Sequence, residues 1–133
     1  MKKLFILAFA AIGLLACSDK NGIDENASVV GKWYSEKVIE YYVENGKIET
    51  DVEYMISMLD INADHSFKIQ GDVYNAEGTW AQNDKALIFF TSGASYSLRM
   101  TIQKLTAKEL VLRSESYEGY EDEYEEWYFV RQN

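Results

Sequence analysis

Tyr96-Ser97-Leu98-Arg99-Met100-Thr101-Ile102-Gln103 alternates apolar and polar side chains from end to end. Successive side chains of an extended strand point to opposite faces. Tyr96, Leu98, Met100 and Ile102 therefore share one face, and Ser97, Arg99, Thr101 and Gln103 the other. Such alternation predicts a half-buried antiparallel strand, apolar towards a core and polar towards water. The neighbouring segments agree. Ala86 to Thr91 is a short apolar strand with too little polar interruption to face water, and Ser92-Gly93 turns the chain after it. Leu105-Thr106-Ala107-Lys108 turns into Glu109 to Arg113, with Leu110 and Leu112 inward. The last strand is Glu125 to Arg131, with Trp127 and Phe129 on one face and Tyr128 and Val130 on the other.

Further towards the N-terminus the same grammar holds. Gly31 to Ser35 carries Trp33, and Val38 to Val43 is rich in β-branched and aromatic residues. Asn45-Gly46 follows, the favoured pair for a two-residue hairpin turn because both positions take positive φ. Lys47 to Glu53 then pairs back as a polar edge strand, apolar only at Ile48 and Val52. Tyr54 to Ile61 is a more apolar run. Phe67 and Ile69 point to one face before Gly71-Asp72, and Gly78-Thr79-Trp80 precedes a turn at Gln82 to Lys85. No stretch from Val29 onward has helical periodicity. Eight to ten short strands joined by tight turns must bury one face and hide their edges, which an up-and-down barrel does by closing. The expected fold is all-β, an antiparallel up-and-down barrel of about eight strands. A two-sheet sandwich competes, but no long Greek-key connection is present. The absence of proline fits continuous ladders.

The chain is 133 residues long, enough for one domain, and it opens with a leader. Lys2 and Lys3 precede an apolar run from Leu4 to Leu15, too short for the roughly 20 residues of a membrane-spanning helix. Leu14-Leu15-Ala16-Cys17 resembles the bacterial lipobox, the site of the lipoprotein signal peptidase. The resemblance implies cleavage after residue 16 and fatty acylation of Cys17, with palmitate-type chains as the membrane anchor. Cys17 is the only cysteine, so no disulfide forms within the chain. The expected division is a leader over 1–16, the lipidated Cys17 with a flexible polar tether over 17–28, and a barrel domain over 29–133. Loss of the leader removes two of 13 basic side chains and no acid, so 11 bases face 22 acids, a formal charge of −11. That field argues against nucleic acid as a partner.

Gly31-Lys32-Trp33 resembles the Gly-x-Trp opening of lipocalins. In order behind it come Asp64-His65-Ser66-Phe67, Gly78-Thr79-Trp80, Leu105-Thr106-Ala107-Lys108-Glu109-Leu110 and Tyr128-Phe129-Val130-Arg131. Together they resemble the small lipocalin-like lipoproteins of Bacteroidetes over the whole body of the chain. The chain lacks the C-terminal helix of full lipocalins, and His65-Ser66 replaces the small family's usual Gly-Thr turn. The resemblance implies that Arg131, on the last strand, packs across Trp33 and closes one end of the barrel. Trp33 is then a core residue and not a ligand contact.

Other constellations point to weaker chemistry. Asp60 to Ser66 has acids or amides at alternate positions, as calcium loops do, but His65 stands where the sharp-turn glycine belongs and Gly71 where the bidentate glutamate belongs. A β-turn is the expected reading, and no metal site or cofactor is. Ser114 to Glu126 holds seven acids, three tyrosines and no base. It reads as a solvated loop, or as a docking surface for an envelope protein through Tyr117, Tyr120 and Tyr124. One histidine and one lipidated cysteine leave no nucleophile pair, and nothing singles out two carboxylates for glycoside hydrolysis, so no catalytic residues are expected. Phe67, Ile69, Trp80, Tyr96, Leu98, Met100, Leu110 and Leu112 are the expected interior residues, facing either each other or a small ligand. Their size predicts a mostly filled interior. The expected function is non-enzymatic: a lipid-anchored module on the outer membrane, periplasmic or at the cell surface, binding a small apolar ligand.

Overall fold

The computed structural model of the protein describes residues 22–132 apart from Val73 and Tyr117. The leader, Cys17 and the first part of the tether lie outside the described residues. Nine strands follow in order: β1 Gly31–Glu44, β2 Lys47–Glu53, β3 Ser57–Ile61, β4 Ser66–Gly71, β5 Asn75–Asn83, β6 Ala86–Thr91, β7 Ser97–Leu105, β8 Glu109–Ser114 and β9 Tyr124–Arg131. From β3 to β9 each strand pairs antiparallel with the next, and β1 pairs with β3 on one side and β9 on the other. The result is a closed, antiparallel up-and-down barrel of eight strands, a lipocalin-like architecture. The ninth strand, β2, stands outside the ring and forms a hairpin with the outer half of β1. Among the described residues there is no helix.

The two runs read separately around Trp33 and Tyr41 are one 14-residue strand, β1. They join through a bulge: the register between β1 and β9 shifts between Ser35 and Lys37. One extra residue reverses the side to which every later side chain points. Trp33 and Ser35 face the core before the bulge, and Val38 faces it afterwards. A second shift between Ile102 and Lys104 places both Ile102 and Leu105 in the core. Asn45 and Gly46 take φ of 52° and 75°, which the hairpin turn between β1 and β2 requires.

Two strand readings need correction. Tyr54 to Ile56 is not strand; it connects β2 to β3, which begins at Ser57. Ala86 to Thr91 is not buried on both faces. Leu87 and Phe89 are buried, but Phe90 is 47% exposed, because a single-layer barrel has only one inner face.

The tether also differs from expectation. Its second half is not free, because Gly22 to Ser28 packs on one end of the barrel. Gly22 O accepts the Leu105 N–H at 2.6 Å and the Asp24 N–H donates to Leu105 O at 2.8 Å. Ile23 and Ala27, the two apolar residues of an otherwise polar segment, pack against the core. This end is closed. Trp33 is fully buried and its indole N–H donates to Val29 O at 2.7 Å. The Arg131 guanidinium lies 4.1 Å from the Trp33 ring centre. It donates from Nε to Ala107 O, from Nη1 to Val30 O and from Nη2 to Ser28 O, each at 2.8 Å. Gly31 makes the fit possible, since a Cβ there would collide with Nη1 of Arg131.

Trp33→Ala should lower stability by about 3–5 kcal/mol, the usual cost of emptying a buried aromatic site. Arg131→Lys should also destabilise despite keeping the charge, because an ammonium cannot serve three carbonyls in the fork geometry. Urea denaturation of the mature chain checks both. A Trp33→Ala protein that kept its full stability would rule out the closure role.

Candidate ligand-binding site

The two ends of the barrel are packed differently. At the closed end Trp33, Ile61, Leu87, Leu105 and Leu110 fill the interior. At the other end the interior is open. An inner chamber of about 120 Å³ leads to an outer one of about 450 Å³, and Ile69, Tyr74, Leu98 and Trp127 line both. The expectation of a mostly filled interior therefore holds for only half the barrel. Ser57 and Gly71, register partners on β3 and β4, are packed closely in the wall of the outer chamber, where a Cβ at Gly71 would come within 3.0 Å of Ser57 Cβ and Ile56 O.

The expected interior residues divide between the two halves. Phe67, Ile69, Leu98, Met100 and Leu112 line the inner chamber. Trp80 is buried but reaches neither chamber. Its indole N–H donates to Asn62 O at 2.9 Å and its ring stacks on His65 at 5.0 Å, so it caps the β3–β4 turn. Leu110 is fully buried in the closed-end packing. Tyr96 is not in the interior but does face the outer chamber. It precedes β7, is 71% exposed, and forms part of the rim of the outer chamber. Phe89, Phe129 and Trp127 also line the inner chamber, although they are not among the expected interior residues. The alternation in β9 is the available signal for Trp127 and Phe129.

Most of the charged groups at the mouth lie on the outer half of β1 and on the two strands paired with it. After the bulge, Val38 lies between Glu53 of β2 and Trp127 of β9, and the next inward row is Asp51, Glu40 and Glu125. Like charges placed directly opposite one another on a sheet are destabilising. Glu125 faces the inner chamber and accepts the Trp127 indole N–H at 3.0 Å. Glu53 and Asp72 line the outer chamber. Among the described residues no lysine or arginine lines either chamber. The ion pairs among those residues are Arg99 with Glu115, at 3.2 Å, and Lys104 with Glu109, so neither involves these mouth carboxylates. The Tyr42 hydroxyl is pushed above the ordinary tyrosine value, first by burial and then by the charges of Glu44, Asp51, Glu49 and Glu40. Ser57 is only 5% exposed, lines the outer chamber, and its Oγ has no hydrogen-bond partner among the described residues.

The remaining constellations are accounted for locally. Asp64 accepts the Ser66 N–H at 2.9 Å and the Ser66 hydroxyl at 2.5 Å, and these bonds lower its pKa. The run from Asp60 to Ser66 is thus a self-bonded turn, in which His65 takes φ of 67°, the conformation that glycine adopts most readily. Among the described residues no three His, Cys, Asp or Glu side chains converge on a metal-sized site. In the acidic segment Glu121 accepts the Gly119 N–H at 3.1 Å, and Tyr120 is 59% exposed. Tyr117 lies outside the described residues. Tyr124 belongs to β9, where it is stacked on Tyr41 at 4.5 Å and covered by Arg113 at 3.6 Å. No protein-family model, curated protein or solved structure matches this chain.

Tyr41 sits on the outer face of the seam between β1 and β9. Burial, and then the Glu126 carboxylate beside it, push its hydroxyl well above the ordinary value of 10.0. Above pH 10 the unfolded chain loses this proton while the folded chain keeps it, so stability must fall as pH rises from there towards the folded value. Tyrosinate absorbance and alkaline urea denaturation check this. Tyr41→Phe should flatten the alkaline loss, and an unchanged slope would contradict the assignment.

Proposed function

We propose that the protein is a non-enzymatic, lipid-anchored binding module of the bacterial envelope that takes a small apolar ligand into the open end of its barrel. The single observation that carries this reading is the two-chambered apolar cup. Its outer chamber alone, about 450 Å³, is within the range of small-molecule sites. The cup's walls are mostly apolar, with a few polar groups among them, as ligand sites usually are.

The anchor fits this reading geometrically. The tether docks at the closed end, through Gly22 and Asp24 on Leu105. The five residues from Cys17 to Asn21 span at most about 18 Å when fully extended. Acylation of Cys17 would therefore hold the closed end towards the bilayer and turn the mouth away from it. The docking alternative, through the acidic loop from Ser114 to Glu126, has the exposed Tyr120 in its favour. It loses Tyr124, whose ring is committed to Tyr41 and Arg113.

Two measurements test the proposal. Native mass spectrometry of the mature chain carrying Cys17→Ser, against a panel of small apolar molecules, should show one ligand per barrel. Leu98→Trp, at a position that is 41% exposed and faces both chambers, should weaken that binding by about tenfold or more while leaving the fold intact. A barrel that stays empty against the whole panel would overturn the ligand reading. In cells, Cys17→Ser should move the protein from the membrane to the soluble envelope fraction, and unchanged membrane fractionation would overturn the anchor.

A further inference from the structure

We propose that the ligand of the cup carries a protonated amine next to its apolar part. The inference rests on the ligand-binding reading above and specifies the chemistry of the molecule. Three independent features of the mouth point the same way.

The first is charge. Glu125, Glu53 and Asp72 are the side chains with formal charge at pH 7 in the two chambers, and all three are acids. Glu40 and Asp51 extend them into a row on the inner face of the hairpin that rises beside the mouth. Nothing in the closed barrel needs carboxylates side by side there, and no basic side chain of the described walls neutralises them. An apolar cup with such a rim repels fatty acids and other anions and concentrates cations. The row does not gather three ligands at one point for a metal ion. A spread of carboxylates instead suits a larger organic cation.

The second is the buried hydroxyl of Ser57. It is a nearly inaccessible polar group with no partner among the described residues, in the wall of the outer chamber. Buried polar groups are normally hydrogen-bonded, so an unpaired one in a cavity wall calls for a partner, which a bound molecule can supply. A hydroxyl oxygen accepts from an ammonium N–H as a carboxylate does. The third is aromatic surface. Trp127, Tyr74 and Tyr96 line the same chamber, and aromatic faces attract ammonium groups. The Trp127 indole N–H is held by Glu125, so its ring orientation and the carboxylate are fixed together. A ligand would place its apolar part between Phe67, Phe89 and Met100, and its cation beside Glu125, Glu53 and Ser57.

The test is a matched set of probes sharing one chain: n-decylamine, n-decanol and n-decanoate at neutral pH. They are titrated into the mature chain carrying Cys17→Ser, with tryptophan fluorescence as the readout. The amine should bind about tenfold or more tighter than the alcohol, which corresponds to at least about 1.4 kcal/mol, and decanoate weakest of all. Raising the salt concentration should weaken only the amine. Glu53→Gln with Glu125→Gln should bring the amine down to the alcohol's affinity and leave the alcohol unchanged. The amide introduced by Glu125→Gln still offers an oxygen to the Trp127 N–H, so the fold is preserved, and an unchanged melting temperature verifies it. Equal binding of amine and alcohol, or preference for decanoate, would overturn the cationic assignment while leaving the apolar-ligand reading standing. Failure of all three probes to bind would overturn both.

Discussion

Arg131 over Trp33 is the contact on which the rest of the barrel depends. The strands that carry these residues are the first and last of the chain, and they are register partners. A ring of antiparallel strands closes only if its two ends meet, and bringing them together costs the entropy of a long loop. Trp33 offsets that cost by filling the end of the barrel, and Arg131 adds hydrogen bonds to carbonyls from three segments. Its guanidinium reaches Ser28, Val30 and Ala107, drawn from the incoming tether, the residue just before β1 and the β7–β8 turn. Carbonyls enclosed at a barrel end need partners. A planar fork with five donors serves three of them at once, and it stacks on an indole while doing so.

Closing one end firmly leaves the other free to be open. The barrel does not need both ends packed, because the ladders run round the whole ring. At the open end Ser57, Gly71, Leu98 and Trp127 line a cavity, whereas at the closed end leucines and Trp33 fill the interior. The bulge in β1 then gives that end its character. Without the extra residue, the alternation set by Trp33 and Ser35 would have turned Tyr41 inward and Glu40 outward. With it, Glu40 shares the inner face with Asp51 and Glu125. Tyr41 faces out, where it stacks on Tyr124 and reinforces the seam. One inserted residue therefore settles both the chemistry of the mouth and the outer lining of the closing strands.

Much of this was legible in the sequence where the signal is local. The alternation from Leu98 to Ile102 is a property of neighbouring residues, so it reveals the strand and its inner face directly. Asn45-Gly46 specified its turn because few residue pairs tolerate positive φ twice. The site was less legible. Phe67, Ile69, Met100 and Leu112 read correctly as interior, but so did Trp80 and Leu110, which line neither chamber. Period two says which face a residue takes, and not how far along the barrel it lies. That depth is set by the stagger of all eight strands. Glu53 and Glu125 were invisible for a related reason: an acid in a polar edge strand and an acid in a charged loop look alike until pairing places them across Val38 and Glu40. Ile23 and Ala27 were too sparse to signal packing, yet the closed end gave them a surface to cover.

An all-β chain, the hairpin turn between β1 and β2, and a barrel as the way to hide its edges all follow from local periodicity and backbone preference, and so are legible in the order of the residues. Only the folded arrangement shows that one half of the interior is filled and the other open, and that carboxylates without a basic neighbour and a Ser57 hydroxyl without a partner, among the described residues, stand at the mouth. The reason is that volume and charge inside a closed ring are sums over strands far apart in the chain. Their registers, shifted at two bulges, are fixed only when the first strand meets the last.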